Sequence, residues 1–144
     1  MTTHRELGTW QKAMAFAVAT YHATMSLPKS EQYGFVSQMR RAAVSIPSNI
    51  AEGYGRQSPK QQYKFLENAL GSASELDTQI ELAARLHLLT TEAADTRQAS
   101  LVPIQRGIVG LMKYVAKKAR TQPRDRYKAP PDTGTGRGAE TPDK

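Results

Sequence analysis

The sequence contains no cysteine. That excludes disulfides, thiolate metal sites and cysteine nucleophiles, and it suits a reducing, cytosolic compartment. No uninterrupted apolar run approaches the ~18 residues a membrane span requires. The amino end, MTTHRELGTWQKAMAFAVATYHATMSLP, has no basic segment leading into an unbroken apolar one. Its stretch Ala13 to Thr20 is short, alanine-rich and preceded by Lys12, so no signal peptide is expected. No segment alternates apolar and polar residues as a half-buried strand does. Histidine is scarce: His4, His22 and His87 are scattered. They form neither the Glu-x-x-His pairs of a di-iron bundle nor an H-E-x-x-H motif. The glycine pair in GYGRQSPK follows no strand and lacks Walker spacing, so no nucleotide loop is expected. Ser45, Asn49 and Glu52 read as polar groups that satisfy one another rather than as a catalytic cluster. No enzyme activity, metal or cofactor is expected.

What the chain has in excess is positive charge. The net charge is +7, from 20 Lys and Arg against 13 Asp and Glu. Residues 1–120 carry 15 basic and 9 acidic side chains, a net +6, so the excess belongs to the part that folds. Such a surface attracts polyanions by releasing their counterions; ordinary solubility charge is the bland alternative.

Helical periodicity runs through almost every informative segment. The spacing predicts a first helix from about Leu7 to Ser26, with Trp10, Ala13, Met14, Ala17, Tyr21 and Met25 on its apolar face and Pro28 beyond its end. A second runs from near Tyr33 to near Tyr54. It buries Phe35, Met39, Ala42, Ile46, Asn49 or Ile50, and Gly53, and ends at Gly53 and Gly55. The third starts with Ser58 as N-cap and Pro59 as first helical residue. Its seam of Leu66, Ala69, Ala73, Leu76, Ile80 and Ala83 steps by three and four. The fourth is capped by Thr90 or Thr91, with Glu92 and Asp95 in its first turns. It presents Leu101, Ile104, Ile108, Leu111 and Val115, and a kink is expected near Pro103. This is an all-α pattern. Short connections give an antiparallel up-down-up-down four-helix bundle over residues 1–120. Residues 121–144, rich in Pro, Gly and charge, are expected to be a disordered tail.

The stretch RRAAVSIPSNIAEGYGR, Arg40 to Arg56, places Pro47 inside the second helix. There it removes a donor and crowds the carbonyl of Ala43, at about 3 kcal/mol in an exposed helix. Ser45 and Ser48 are placed to bond a freed carbonyl. The small neighbours Ala42, Ala43, Ser45, Ser48, Ala51 and Gly53 face Ala69, Gly71, Ser72, Ala73 and Ser74 on the third helix, which lets two helices approach closely. The motif residues Ser45, Pro47, Ser48, Asn49, Glu52 and Gly53 therefore read first as a structural device.

The run YGFVSQMRRAAVSIPSNIAEGYGRQSPKQQYKFLENALGSASELDTQIELA strongly resembles the bacterial four-helix-bundle family that includes the large-subunit (23S) rRNA intervening-sequence proteins. The resemblance rests on Gly34, Gln38, Arg40-Arg41-Ala42, Ser45-Ile46-Pro47, Asn49-Ile50-Ala51-Glu52-Gly53, Arg56, Phe65-Leu66, and Gly71-Ser72 followed by Glu75-Leu76. Trp10 to Ala13 is similar to the family's Trp-containing first helix, and the likeness covers roughly Leu7 to Arg120. It implies a compact antiparallel bundle that assembles as a homo-oligomeric ring, with a pentamer expected. It also implies a nucleic-acid-associated, non-catalytic role. Some members of the family are encoded inside insertions in rRNA genes, and the fold is similar to accessory proteins of diversity-generating retroelements.

The candidate site residues are the cations. Arg40, Arg41 and Arg56 lie on or just after the second helix, and Lys60 and Lys64 open the third, one turn apart. Arginine binds phosphate in bidentate fashion, and a helix amino end favours an anion. For Arg41 and Arg56 the competing reading is an ion pair with Glu52, Glu67 or Glu75. For Lys60 and Lys64 it is a solvated face. A second group, Lys113, Lys117, Lys118 and Arg120, continues into Arg124, Arg126, Tyr127 and Lys128. It can track nucleic acid, although cations also decorate helix carboxyl ends in general. RNA is expected ahead of DNA; the alternative is an adaptor ring that binds a protein partner.

Overall fold

The computed structural model describes residues 2–121, which form four long helices and no strand. Thr121, expected in the tail, is the last residue of α4, and the rest of the expected tail, residues 122–144, lies outside the described residues. After a short turn at His4–Glu6, helix α1 spans Gly8–Thr24, α2 Ser37–Tyr54, α3 Pro59–Arg85 and α4 Thr91–Thr121. The main contacts join α1 to α2, α2 to α3, α3 to α4 and α1 to α4, so each helix packs on two others. None of these helices is long and apolar enough to cross a membrane.

Helix α1 buries only part of the expected face: Ala13 and Ala17 are on it, and Trp10 packs partly buried against the core. Ala13, Phe16, Ala17, Thr20 and Thr24 are buried, whereas Met14, Tyr21 and Met25 are exposed. The two threonines can be buried because each hydroxyl donates to the carbonyl four residues back, Thr20 to Phe16 at 2.9 Å and Thr24 to Thr20 at 2.8 Å. Met14, Val18 and Tyr21 form an exposed apolar stripe.

Helix α2 begins later than the periodicity suggests. Residues Gln32–Val36 form a wide turn around Gly34 (φ −101°, ψ −107°) before regular geometry starts at Ser37. Phe35, expected to be buried, is half-buried against the core. Met39, Ala42, Ala43, Ile46, Pro47, Ile50 and Gly53 are buried, and the helix continues through Pro47. Ser45 does not reach the carbonyl of Ala43. Its hydroxyl pairs with that of Ser72 across the α2–α3 seam at 2.8 Å. Asn49 Nδ2 donates to both the carbonyl (2.8 Å) and the hydroxyl (2.9 Å) of Ser45. Among the described residues, Ser48 makes no side-chain hydrogen bond and lines a surface groove instead. The seam is close: Ala43, Ala69 and Ala73 have no exposed surface. A Cβ on Gly53 would stand 3.1 Å from Phe65 Cβ and 3.3 Å from the Gln62 carbonyl oxygen.

The ends of α3 and the start of α4 follow their cap residues. Ser58 accepts from the Gln61 amide and Thr90 from the Ala93 amide, which makes Thr90 rather than Thr91 the cap of α4. The α3 seam buries the six expected residues and adds Gln79, whose Oε1 has no partner among the described residues. Helix α4 runs unbroken past Pro103. The two helices are also joined at the surface by Gln98 and Glu81. The hydrogen bond from Gln98, then that from Arg85, holds the Glu81 carboxyl below the usual carboxylate range.

The carboxyl end of α3 closes with paired backbone bonds: the Leu88 amide donates to the Ala83 carbonyl and the His87 amide to the Ala84 carbonyl. This motif puts the first residue past the cap in the left-handed region, and His87 sits there at φ 58°. A side chain in that region costs about 1 kcal/mol, and glycine avoids the cost. His87→Gly is therefore expected to raise stability by about 1 kcal/mol, or ~3–6 °C in Tm. Thermal unfolding followed by circular dichroism measures it, and a lower Tm would contradict the cap assignment.

Candidate nucleic-acid interface

The expected cations do not form one surface. Arg40 turns back onto α1: its Nε donates to Thr24 Oγ1 at 2.9 Å, and its guanidinium lies 4.5 Å from the centre of the Tyr21 ring. Arg41 is exposed and pairs with none of Glu52, Glu67 or Glu75. At 1.5 Å of rise per residue, both lie roughly 20 Å along α2 from the corner where α3 begins. Arg56 stands at that corner but is engaged. It pairs with Glu52 at 3.2 Å and covers the Phe65 ring at 4.9 Å. Both partners are about half exposed, so the pair contributes little to stability.

The tertiary structure instead joins Lys60 and Lys64 to a residue distant in sequence. They line a groove of about 730 Å³ between the start of α3 and the end of α4, and Arg120 lines it from the α4 side. Tyr63, Val115, Ala116 and Ala119 also line it, and among the described residues Glu67 is its only carboxylate. Lys118 points to the neighbouring face and lines a second cavity, of about 470 Å³, at the end of the bundle. Lys113 and Lys117 are exposed on α4, one turn apart, and line neither. Among the described residues, none of Lys60, Lys64, Lys118 and Arg120 forms an ion pair. Arg124, Arg126, Tyr127 and Lys128 lie outside the described residues.

The reading of the cations missed the tyrosines near them. Tyr54 and Tyr114 line the 470 Å³ cavity with Lys118, and Tyr63 lies in the basic groove. Each falls within about two turns of a predicted helix end, which is the one signal in the sequence that could have grouped them. No cluster of three or more metal-ligating side chains occurs among the described residues. An apolar groove of about 560 Å³ lies on the far side of α2, lined by Met14, Val18, Tyr21, Val44 and Pro47.

No curated protein matches the chain. Among solved structures, the fold is similar to the crystal structure of a protein of unknown function from the S23 ribosomal protein family of Bacteroides thetaiotaomicron VPI-5482. The TM-score is 0.66 at 24% identity, over 73% of this chain and 98% of that one. That likeness concerns the fold alone. The family model of the 23S rRNA-intervening sequence proteins matches residues 5–110, the span that holds α1 to α3, the Pro47 motif and most of α4. The chain belongs to the 23S rRNA-intervening sequence protein family.

Proposed function

We propose that this protein is a non-catalytic, oligomeric four-helix bundle of the cytoplasm that associates with nucleic acid, RNA ahead of DNA, through a basic surface. The observation that carries this reading is the convergence of Lys60, Lys64 and Arg120 on one groove. Among the described residues, Glu67 is the one carboxylate lining that groove, in a chain of net charge +7. Cations without local partners are available to phosphates, and each phosphate contact releases counterions. An antiparallel up-down-up-down arrangement accounts for the pairing order: Ser45 meets Ser72 while the later Gly53 meets the earlier Phe65.

Assembly as a homo-oligomer, a pentameric ring by family resemblance, is supported by the exposed stripe of Met14, Val18, Tyr21 and Val44. Light scattering that returned a monomer mass would contradict it. A ring multiplies the basic groove and gains avidity. The same apolar stripe is what an adaptor for a protein partner would use, and a nuclease-resistant complex with one protein would favour that role.

The test is a salt series of binding to structured RNA and to duplex DNA. The expected result is an affinity that falls steeply with salt, with a log–log slope of about −3 or steeper if three or more phosphates are held per site. No binding to either polymer at low salt would overturn the reading.

A further inference from the structure

The end of the bundle where α2 and α4 finish and α3 begins places aromatic rings among the cations. Tyr54 is 39% exposed and Tyr114 65%, and neither makes a side-chain hydrogen bond or a ring contact among the described residues. Both line the cavity of about 470 Å³ whose wall includes Ile50, Leu66 and Leu111. That size falls in the ~300–1,000 Å³ range of small-molecule pockets. The cavity and the basic groove share Val115, so Lys118 stands beside the rings and Lys60, Lys64 and Arg120 continue the positive charge around α4.

A nucleic-acid duplex presents phosphates outward and keeps its bases stacked inside. It can use these cations, but it offers no base face to a tyrosine set in a concave pocket. A single strand offers both. Exposed rings interleaved with cations are the recurring means of holding one, because every base has a face on which to stack.

We infer that this end of the bundle binds single-stranded nucleic acid, with unstacked bases against Tyr54 and Tyr114 and the backbone along Lys118, Lys64 and Arg120. The inference rests on the basic-surface reading above and narrows its ligand.

The experiment is fluorescence anisotropy of the full-length chain with oligouridylate, oligothymidylate and a blunt RNA duplex. Tyr54→Ala and Tyr114→Ala are each expected to weaken single-strand binding about tenfold. Duplex binding is expected to change by less than about twofold, since phosphate contacts are kept. Tyr54→Phe and Tyr114→Phe retain the ring and are expected to retain affinity. Tyr33→Ala, on the α1–α2 connection and 91% exposed, is the control and is expected to change nothing. Loss on both single strands assigns recognition to bases; loss on one alone assigns that polymer as the ligand. Either sustains the inference. Unchanged single-strand affinity in the alanine variants, or an equal loss on the duplex, overturns it and leaves the basic surface standing. Absence of binding to all three polymers overturns both.

Discussion

Replacing Ala73 by leucine is expected to destabilise the protein by about 3 kcal/mol or more, at the upper end of overpacking costs. Ala73 has no exposed surface and lies midway along the α3 seam. One residue away, Ser72 meets Ser45 of α2 hydroxyl to hydroxyl at 2.8 Å. Two helices this close leave no room for a branched side chain. The backbones must separate, and separation breaks the Ser45–Ser72 contact and loosens the packing around Ile46 and Leu76, both fully buried. A loss of this size corresponds to a fall of about 10 °C in Tm. Ser74→Leu, at the next position and exposed, is expected to stay within about 0.5 kcal/mol. Equal Tm values for the two variants would show that α2 and α3 are not in close contact.

Reversing charge at Lys64 and Arg120 together is expected to cut affinity for RNA at least a hundredfold at low salt. The change removes two phosphate contacts and adds two carboxylates to a groove that already holds Glu67. The slope of affinity against salt should flatten by about two for the lost contacts. Arg41→Glu makes the same kind of charge change on exposed α2 surface roughly 20 Å from the groove. It is expected to cost less than tenfold. Arg40→Ala is expected to lower stability instead, because the Arg40 side chain packs on Tyr21 and bonds Thr24. If Arg41→Glu matched the double reversal, binding would depend on overall charge and not on the groove.

These expectations separate what is local in this chain from what is not. The helices themselves were legible because their signals are short-range. Ser58 and Pro59 start α3, Thr90 or Thr91 starts α4, and the three-and-four spacing from Leu66 to Ala83 names a buried stripe without any partner in view. The face of α1 was only partly legible. Ala13 and Ala17 stand on the expected stripe, but Met14, Tyr21 and Met25 of that stripe are exposed, and Phe16, Thr20 and Thr24 are buried instead. The packing of α1 on α2 and α4 makes that choice. A Cβ on Gly107 of α4 would collide with Thr9, which shows how little space lies between those helices.

The candidate site was half legible for the same reason. Lys60 and Lys64 share a turn, so their common face follows from helix geometry. Their union with Arg120 depends on α3 and α4 packing side by side, and no local spacing encodes that. The withdrawal of Arg40 likewise depends on where α1 presents Tyr21 and Thr24. Sequence therefore settled the elements, the cap of α3, the excess of charge and the family motif, all of which are properties of neighbouring residues. Which faces were buried, that Arg40 was consumed by contacts with α1, and which tyrosines met which lysines were decided by the packing of helices, because those contacts join residues from 16 to some 60 positions apart.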